Sequence, residues 1–311
     1  MKKLFYSLLA LTLVSCGSKK QTPIDREALV NRNSPQVTAF DSLASLSVGN
    51  GEFAYTVDAT GLQTYPELYT KGVPLGTQSQ WGWHEFTNPE AYKHEETLKD
   101  YDFGRGRMEP YSVQFNEAGR QKEAANWFRV NPHRLHLGMV GFDFGRDSSS
   151  LSQITDVKQT LDLWKGAVNS NFKLNGTPVE VQTVCHPEAD MLAAVVRSAA
   201  HPAVNFRFPY PTGGHCDDAC KWDANDRHST TIVSQDGQQV VLKRTLDATT
   251  YYVTIRWEGK ALFGEKDKNY FVLTPEEDTL AFTCAFTPEG ASTETATAVQ
   301  TEQKAAEYWT A

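Results

Sequence analysis

From about Thr38 to about Gly290 the chain alternates apolar and polar residues with a period of two, and this constrains the fold more than any other feature. Runs such as "EFAYTVDATGLQTY" (52–65), "FKLNGTPVEVQTVCH" (172–186), "STTIVSQDGQQVVLKRTL" (229–246), "TTYYVTIRWEG" (249–259) and "TLAFTCAFTPEG" (279–290) read as strands, because successive side chains of a strand point to opposite faces. Asn175-Gly176 and Asp236-Gly237 stand between such runs, as two-residue hairpins require. On the order of fifteen runs can be distinguished, more than the seven to nine strands of an immunoglobulin sandwich. The expectation is an all-β fold: a large two-sheet antiparallel β-sandwich, a supersandwich, over residues 38–290.

The last stretch breaks the pattern. "STETATAVQTEQKAAEYWTA" is rich in helix formers, with Ser292 or Thr293 as a cap, Glu294 near the start, and Ala298, Val299, Ala305, Ala306 and Trp309 at helical spacing. It predicts a C-terminal helix over 291–311 that exposes Tyr308 and Trp309, a surface suited to docking another polypeptide.

At the other end, "MKKLFYSLLALTLVSC" (1–16) reads as a secretion signal, with an apolar core too short to span a bilayer. Ser15-Cys16 resembles a bacterial lipobox, which makes Cys16 the expected lipidation site and the membrane a partner through the lipid anchor. Residues 17–37 are polar and suit a flexible tether. Lysine and arginine total 30 against 38 aspartates and glutamates, a net charge of -8. With no basic stripe to follow a phosphate backbone, nucleic acid is excluded as the expected partner. Cys16 apart, the cysteines are Cys185, Cys216, Cys220 and Cys284. In an exported chain Cys216 and Cys220 are the candidate disulfide, whereas Cys185 and Cys284 lie in strand-like runs and read as buried thiols.

The short signatures of serine hydrolases, zinc peptidases, nucleotide-binding loops and zinc ribbons do not occur. "TQSQWGWHEFTNPEAY" (77–92) offers the best ligand surface. If this stretch is extended, Trp81 and Trp83 point to one side. Indole faces stack on the apolar face of a sugar, while Gln78, Gln80, His84 and Glu85 hydrogen-bond hydroxyls; core packing is the competing reading. A second cluster, "GGHCDDACKWDANDRH" (213–228), holds Asp217, Asp218, Asp223 and Asp226. It reads first as a solvated loop and second as a calcium site built from hard oxygen ligands. No cofactor beyond that Ca2+ is expected.

Three segments carry a family resemblance: "SVGNGEFAYTVDATGLQTY" (47–65), "QSQWGWHEFTNPEAY" (78–92) and "LDLWKGAVNSNFKLNGTPVEVQTVCHPEADMLAAVVRS" (161–198). Together they resemble the N-terminal domain of glycoside hydrolase family 65-like proteins of the six-hairpin glycosidase group, especially lipoproteins of Bacteroidetes. The resemblance covers most of residues 40–287 and implies a β-sandwich, a linker helix and an (α/α)6 barrel that supplies the catalytic groups. The sequence ends where the linker helix is expected to lead into that barrel, so no catalytic acid or base is carried over, and the chain is expected to be inactive alone. What the resemblance implies for this chain is a sugar-facing loop at Gln80, Trp81, Trp83 and His84, with a disaccharide or oligosaccharide as ligand. It also implies a helical barrel or a second copy of the chain as possible partners.

Lacking an acidic run after Cys16, the chain is expected on the periplasmic side of the outer membrane, with the cell surface as the alternative. Two competing functions are a free-standing glycan-binding lipoprotein of a polysaccharide-uptake system and a partner-docking structural protein.

Overall fold

The computed structural model describes residues 23–112, 118–144, 150–214 and 218–311. Its centre is a nine-stranded antiparallel sheet. In spatial order the strands are Gln36–Val37, Ile154–Asp162, Ala167–Leu174, Thr177–Cys185, Met191–Arg197, Thr279–Thr287, Thr249–Glu258, Gln239–Leu246 and His228–Asp236. A four-stranded sheet (Ala261–Asp267, Tyr270–Pro275, Val204–Arg207, Met139–Phe142) and a three-stranded one (Leu46–Gly49, Phe53–Val57, Thr77–Ser79) contribute to the same core. The all-β sandwich expected from the alternation is what forms.

The strand Met191–Arg197 shows how sequence becomes layers. Leu192, Ala194 and Val196 point into the main core with Phe206, Phe271 and Phe282. Ala193 and Val195 point the other way, into a second cluster with Ala167, Val184, Ala281, Ala298 and Ala305. Ala298 and Ala305 belong to the C-terminal helix, Ala298–Thr310. Both faces of this strand are therefore covered, which explains an apolar run without alternation. Small side chains on the outer face bring the helix close, and a larger one there would cost about 1–3 kcal/mol in overpacking.

The Asn175-Gly176 hairpin forms as expected, with Leu174 opposite Thr177 and both turn residues at positive φ, 50° and 84°. The second hairpin sits one residue further on: Asp236 pairs with Gln239, so Gly237 and Gln238 make the turn.

Three features differ from the sequence reading. The helix expected over 291–311 begins at Ala298, capped by Thr297, which accepts from the Gln300 N–H while the Gln300 side chain accepts from the Thr297 N–H. Ser292 and Glu294 cannot start it because Arg256 Nη2 and Nη1 bind their carbonyl oxygens. Within the stretch read as a tether, Arg26–Asn31 is a helix capped by Asp25, and Gln36–Val37 pairs with the edge strand at Gln159 and Thr160. A helix at Arg120–Val130, where strands were expected, packs Phe128 edge-on against His94 and pairs Arg120 with Glu96. Its composition, "RQKEAANWFRV", is that of good helix formers.

Cys185 and Cys284 are buried, and burial pushes both thiols well up. Cys220 is also buried; Cys216, its expected partner, lies outside the described residues, as does Cys16. Among the described residues no helix is long and apolar enough to cross a membrane.

Candidate ligand-binding groove

Thr77–Ser79 is the outer strand of the three-stranded sheet, paired with Phe53–Val57. The chain then turns: the Gly82 N–H donates to the Ser79 carbonyl and the Trp83 N–H to the Trp81 carbonyl. Gly82 suits this turn because an added Cβ would lie 3.3 Å from both Leu137 and the Ser79 carbonyl oxygen. Trp83–His84 then pairs with His133–Arg134, placing Trp83 opposite Arg134 and His84 opposite His133.

This turn overturns the expectation that Trp81 and Trp83 form one platform. Trp81 is half-buried against the core, its ring 6.0 Å from that of Tyr251, and its indole N–H donates to Asp190 at 2.6 Å. Trp83 is 46% exposed and carries the Arg134 guanidinium over its ring at 4.2 Å. His84 lies on the opposite face of the ribbon and is buried. Of the four residues singled out, only Gln80 lines the neighbouring groove of mixed apolar and polar walls.

That groove encloses about 510 Å³. Gln78, Gln80, Glu52, Arg134, Leu163 and Trp309 are among its walls. Trp309, 46% exposed, comes from the end of the C-terminal helix and packs on Gly166. Gly166 adopts φ +65° in the turn after Asp162, and an added Cβ would come within 2.3 Å of the indole. The same glycine therefore permits both the turn and the seat of the tryptophan. Arg134 Nη1 donates to the carbonyls of Ser79 and Gln80, each at 2.9 Å, which fixes its guanidinium at the groove edge.

Behind the ribbon lies a different arrangement. His133 Nδ1 donates to the Val130 carbonyl at 2.7 Å. Its Nε2 faces His84 Nδ1 at 3.1 Å, and His84 Nε2 faces Asp247 Oδ2 at 2.9 Å. The Tyr210 hydroxyl donates to the same oxygen at 2.5 Å. Burial, with His133 second, holds His84 below the ordinary histidine range against the pull of Asp247. Burial also holds His133 down. Since a carbonyl only accepts, two neutral imidazoles beside an ionised Asp247 leave one contact of the chain without a proton. A proton taken up by the two imidazoles fills that contact.

The cation candidates do not converge. Asp218 accepts from the Cys220 N–H, Asp223 and Asp226 are exposed, and Asp217 lies outside the described residues. Among the described residues no three His, Cys, Asp or Glu side chains meet in a metal-binding arrangement.

Sequence reasoning passed over Arg134 and Glu52 as wall residues and read Trp309 as a docking residue. The alternation of "HRLHL" (133–137) carried a signal for Arg134, since it puts His133 and Arg134 on opposite faces. Nothing local marked Glu52.

No family model matches the sequence, and no curated protein matches it. Among solved structures, one provisionally described as a kojibiose phosphorylase from human microbiome aligns with 89% of this chain and 35% of its own, at 12% identity and a TM-score of 0.47. This chain thus spans about a third of the length of that protein, and at this level of likeness nothing further is carried across.

Proposed function

We propose that this chain is the β-sandwich part of a carbohydrate-active protein and that it holds a saccharide in the groove between the three-stranded sheet and the end of the C-terminal helix. The observation that carries this reading is the exposed Trp309 indole standing over a cleft whose walls also present Gln78, Gln80, Glu52 and Arg134. A sugar offers an apolar C–H face to an indole and hydroxyls to planar amide, carboxylate and guanidinium groups, and pockets of this mixed kind suit such ligands.

Binding fits better than cleavage. Glycoside hydrolysis ordinarily needs two carboxyl groups about 5–9.5 Å apart, and the described walls hold one, Glu52. Chemistry, if the whole protein performs any, belongs to groups outside this groove.

Calorimetric titration of the purified chain with a panel of oligosaccharides tests the reading. It expects heat with at least one glycan and a loss of about tenfold or more in affinity on Trp309→Ala, roughly 1.4 kcal/mol. Silence across the panel, or binding indifferent to Trp309, defeats it and leaves Tyr308 and Trp309 as a protein-docking pair.

Export with a lipid on Cys16 belongs to the same proposal. A Cys16→Ser variant is expected to leave the membrane fraction when expressed from its full leader; retention there argues against lipidation.

A further inference from the structure

We infer that the groove is built for an acidic saccharide, one bearing a carboxylate or sulfate, which the guanidinium of Arg134 grips side-on; this rests on the groove being a carbohydrate site. An arginine has five N–H donors in a rigid fork. Arg134 gives Nη1 to the Ser79 and Gln80 carbonyls, and its guanidinium carbon lies 4.2 Å from the centre of the Trp83 ring. The edge formed by Nε–H and Nη2–H has no protein acceptor among the described residues, and no described carboxylate lies within ion-pair distance of it. That edge has the spacing of a bidentate carboxylate partner.

Four other arginines spend their donors within the protein. Arg107 and Arg120 are paired with Glu109 and Glu96. Arg256 uses Nε on Gln239 and its two terminal nitrogens on the carbonyls of Glu294 and Ser292. Arg244 is buried among six partners: His228, Ser229, Thr230, Asn269, Pro209 and Tyr251. Arg134 is held by two carbonyls and the Trp83 ring, and it lines the groove. A side chain already immobilised loses little entropy on gripping a ligand.

Glu52 stands in the same walls, more than ion-pair distance away. Its charge offsets long-range attraction of anions, so discrimination arises at contact and not by steering. Glu52 accepts hydroxyl hydrogens while Arg134 takes the acid.

The test compares three probes on the intact chain by calorimetry: a galacturonate tetrasaccharide, its carboxyl-reduced galactose counterpart, and a sulfated galactose tetrasaccharide. Wild-type protein is expected to bind at least one acidic probe tenfold or more tightly than the neutral one. Which acidic probe binds distinguishes uronate from sulfate. Arg134→Gln is expected to weaken the acidic probe about tenfold more than the neutral one, so that the preference disappears. Arg134→Lys, which keeps the charge but not the fork, is expected to recover only part of the preference.

Equal wild-type affinity for acidic and neutral probes overturns the inference and leaves the carbohydrate reading standing, and this comparison needs no variant to fold. Loss of both probes in Arg134→Gln, with unchanged circular dichroism, also overturns it, because Arg134 would then act by shaping the loop. If no probe binds and the wider glycan panel is silent, the carbohydrate reading itself has failed.

Discussion

The two faces of the short ribbon formed by Trp83–His84 and His133–Arg134 share a backbone and differ in everything else. On the outer face Trp83 and Arg134 stack in water. On the inner face His84 and His133 form a chain with Asp247 and Tyr210 in which each nitrogen and oxygen depends on the next. The contrast teaches where binding and stability separate. Removing an outer group deletes a contact that water replaces, whereas removing an inner one strands its neighbours without partners.

The largest expected effect comes from breaking the inner chain. His84→Ala leaves a cavity and unpaired groups at His133 and Asp247, and is expected to cost about 2–4 kcal/mol in urea unfolding. Trp83→Ala on the outer face is expected to cost under about 1 kcal/mol by the same measurement. Equal losses would erase the distinction between the faces.

The next effect reverses the comparison. Trp309→Ala is expected to weaken saccharide binding about tenfold or more, roughly 1.4 kcal/mol, while His84→Ala, in whatever fraction folds, binds with near-native affinity. A His84 variant that folds but does not bind would show that the buried face shapes the groove.

Acidity separates the faces further. Burial holds His84, His133 and His186 below the ordinary histidine range, His136 at about 4 and His228 at about 3. The unfolded chain takes up protons near pH 6.5, where these folded histidines resist them. Their contribution to stability is therefore present above about pH 6.5 and lost as pH falls towards 4. Asp58 acts in the opposite direction. Burial pushes it up to about 6, so its cost to the fold is relieved between about pH 6 and 4 and flattens the slope.

Unfolding free energies at pH 7.5, 6 and 5 are expected to fall in that order. Affinity for a saccharide should stay constant over the same range, since none of these histidines lines the groove. Stability that rises on acidification would contradict the histidine assignment.

A last substitution sharpens the corner between sheet and helix. Gly166→Ala is expected to destabilise by about 1–2 kcal/mol, because it places a Cβ at positive φ and against the Trp309 ring, and to weaken saccharide binding in proportion. A stability loss without a binding change would mean that Trp309 is not seated by Gly166.

Much of the architecture was legible. Alternation identified the strands, and Asn175-Gly176 marked its hairpin, because both signals are local. The helix at Arg120–Val130 was masked by reading a mostly β chain as uniformly β, although "RQKEAANWFRV" already favours helix. The onset of the C-terminal helix was displaced because Arg256, on a strand of the central sheet, takes the carbonyls on which an earlier start depends. The aromatic segment contributes Gln78 and Gln80 to the groove walls, while Trp81, Trp83 and His84 lie outside that lining. The turn at Gly82 splits Trp81 from Trp83, and strand periodicity puts His84 behind the ribbon.

The sequence by itself determined the strand character, the apolar faces and the Asn175-Gly176 turn, since each depends on residues within a few positions of one another. Tertiary structure alone decided that His84 meets Asp247 across 163 positions, that Trp309 comes to rest on Gly166, and that Arg134 joins the wall of the groove. Those meetings depend on register and on how sheets and helix stack, which the whole chain sets together and no single segment encodes.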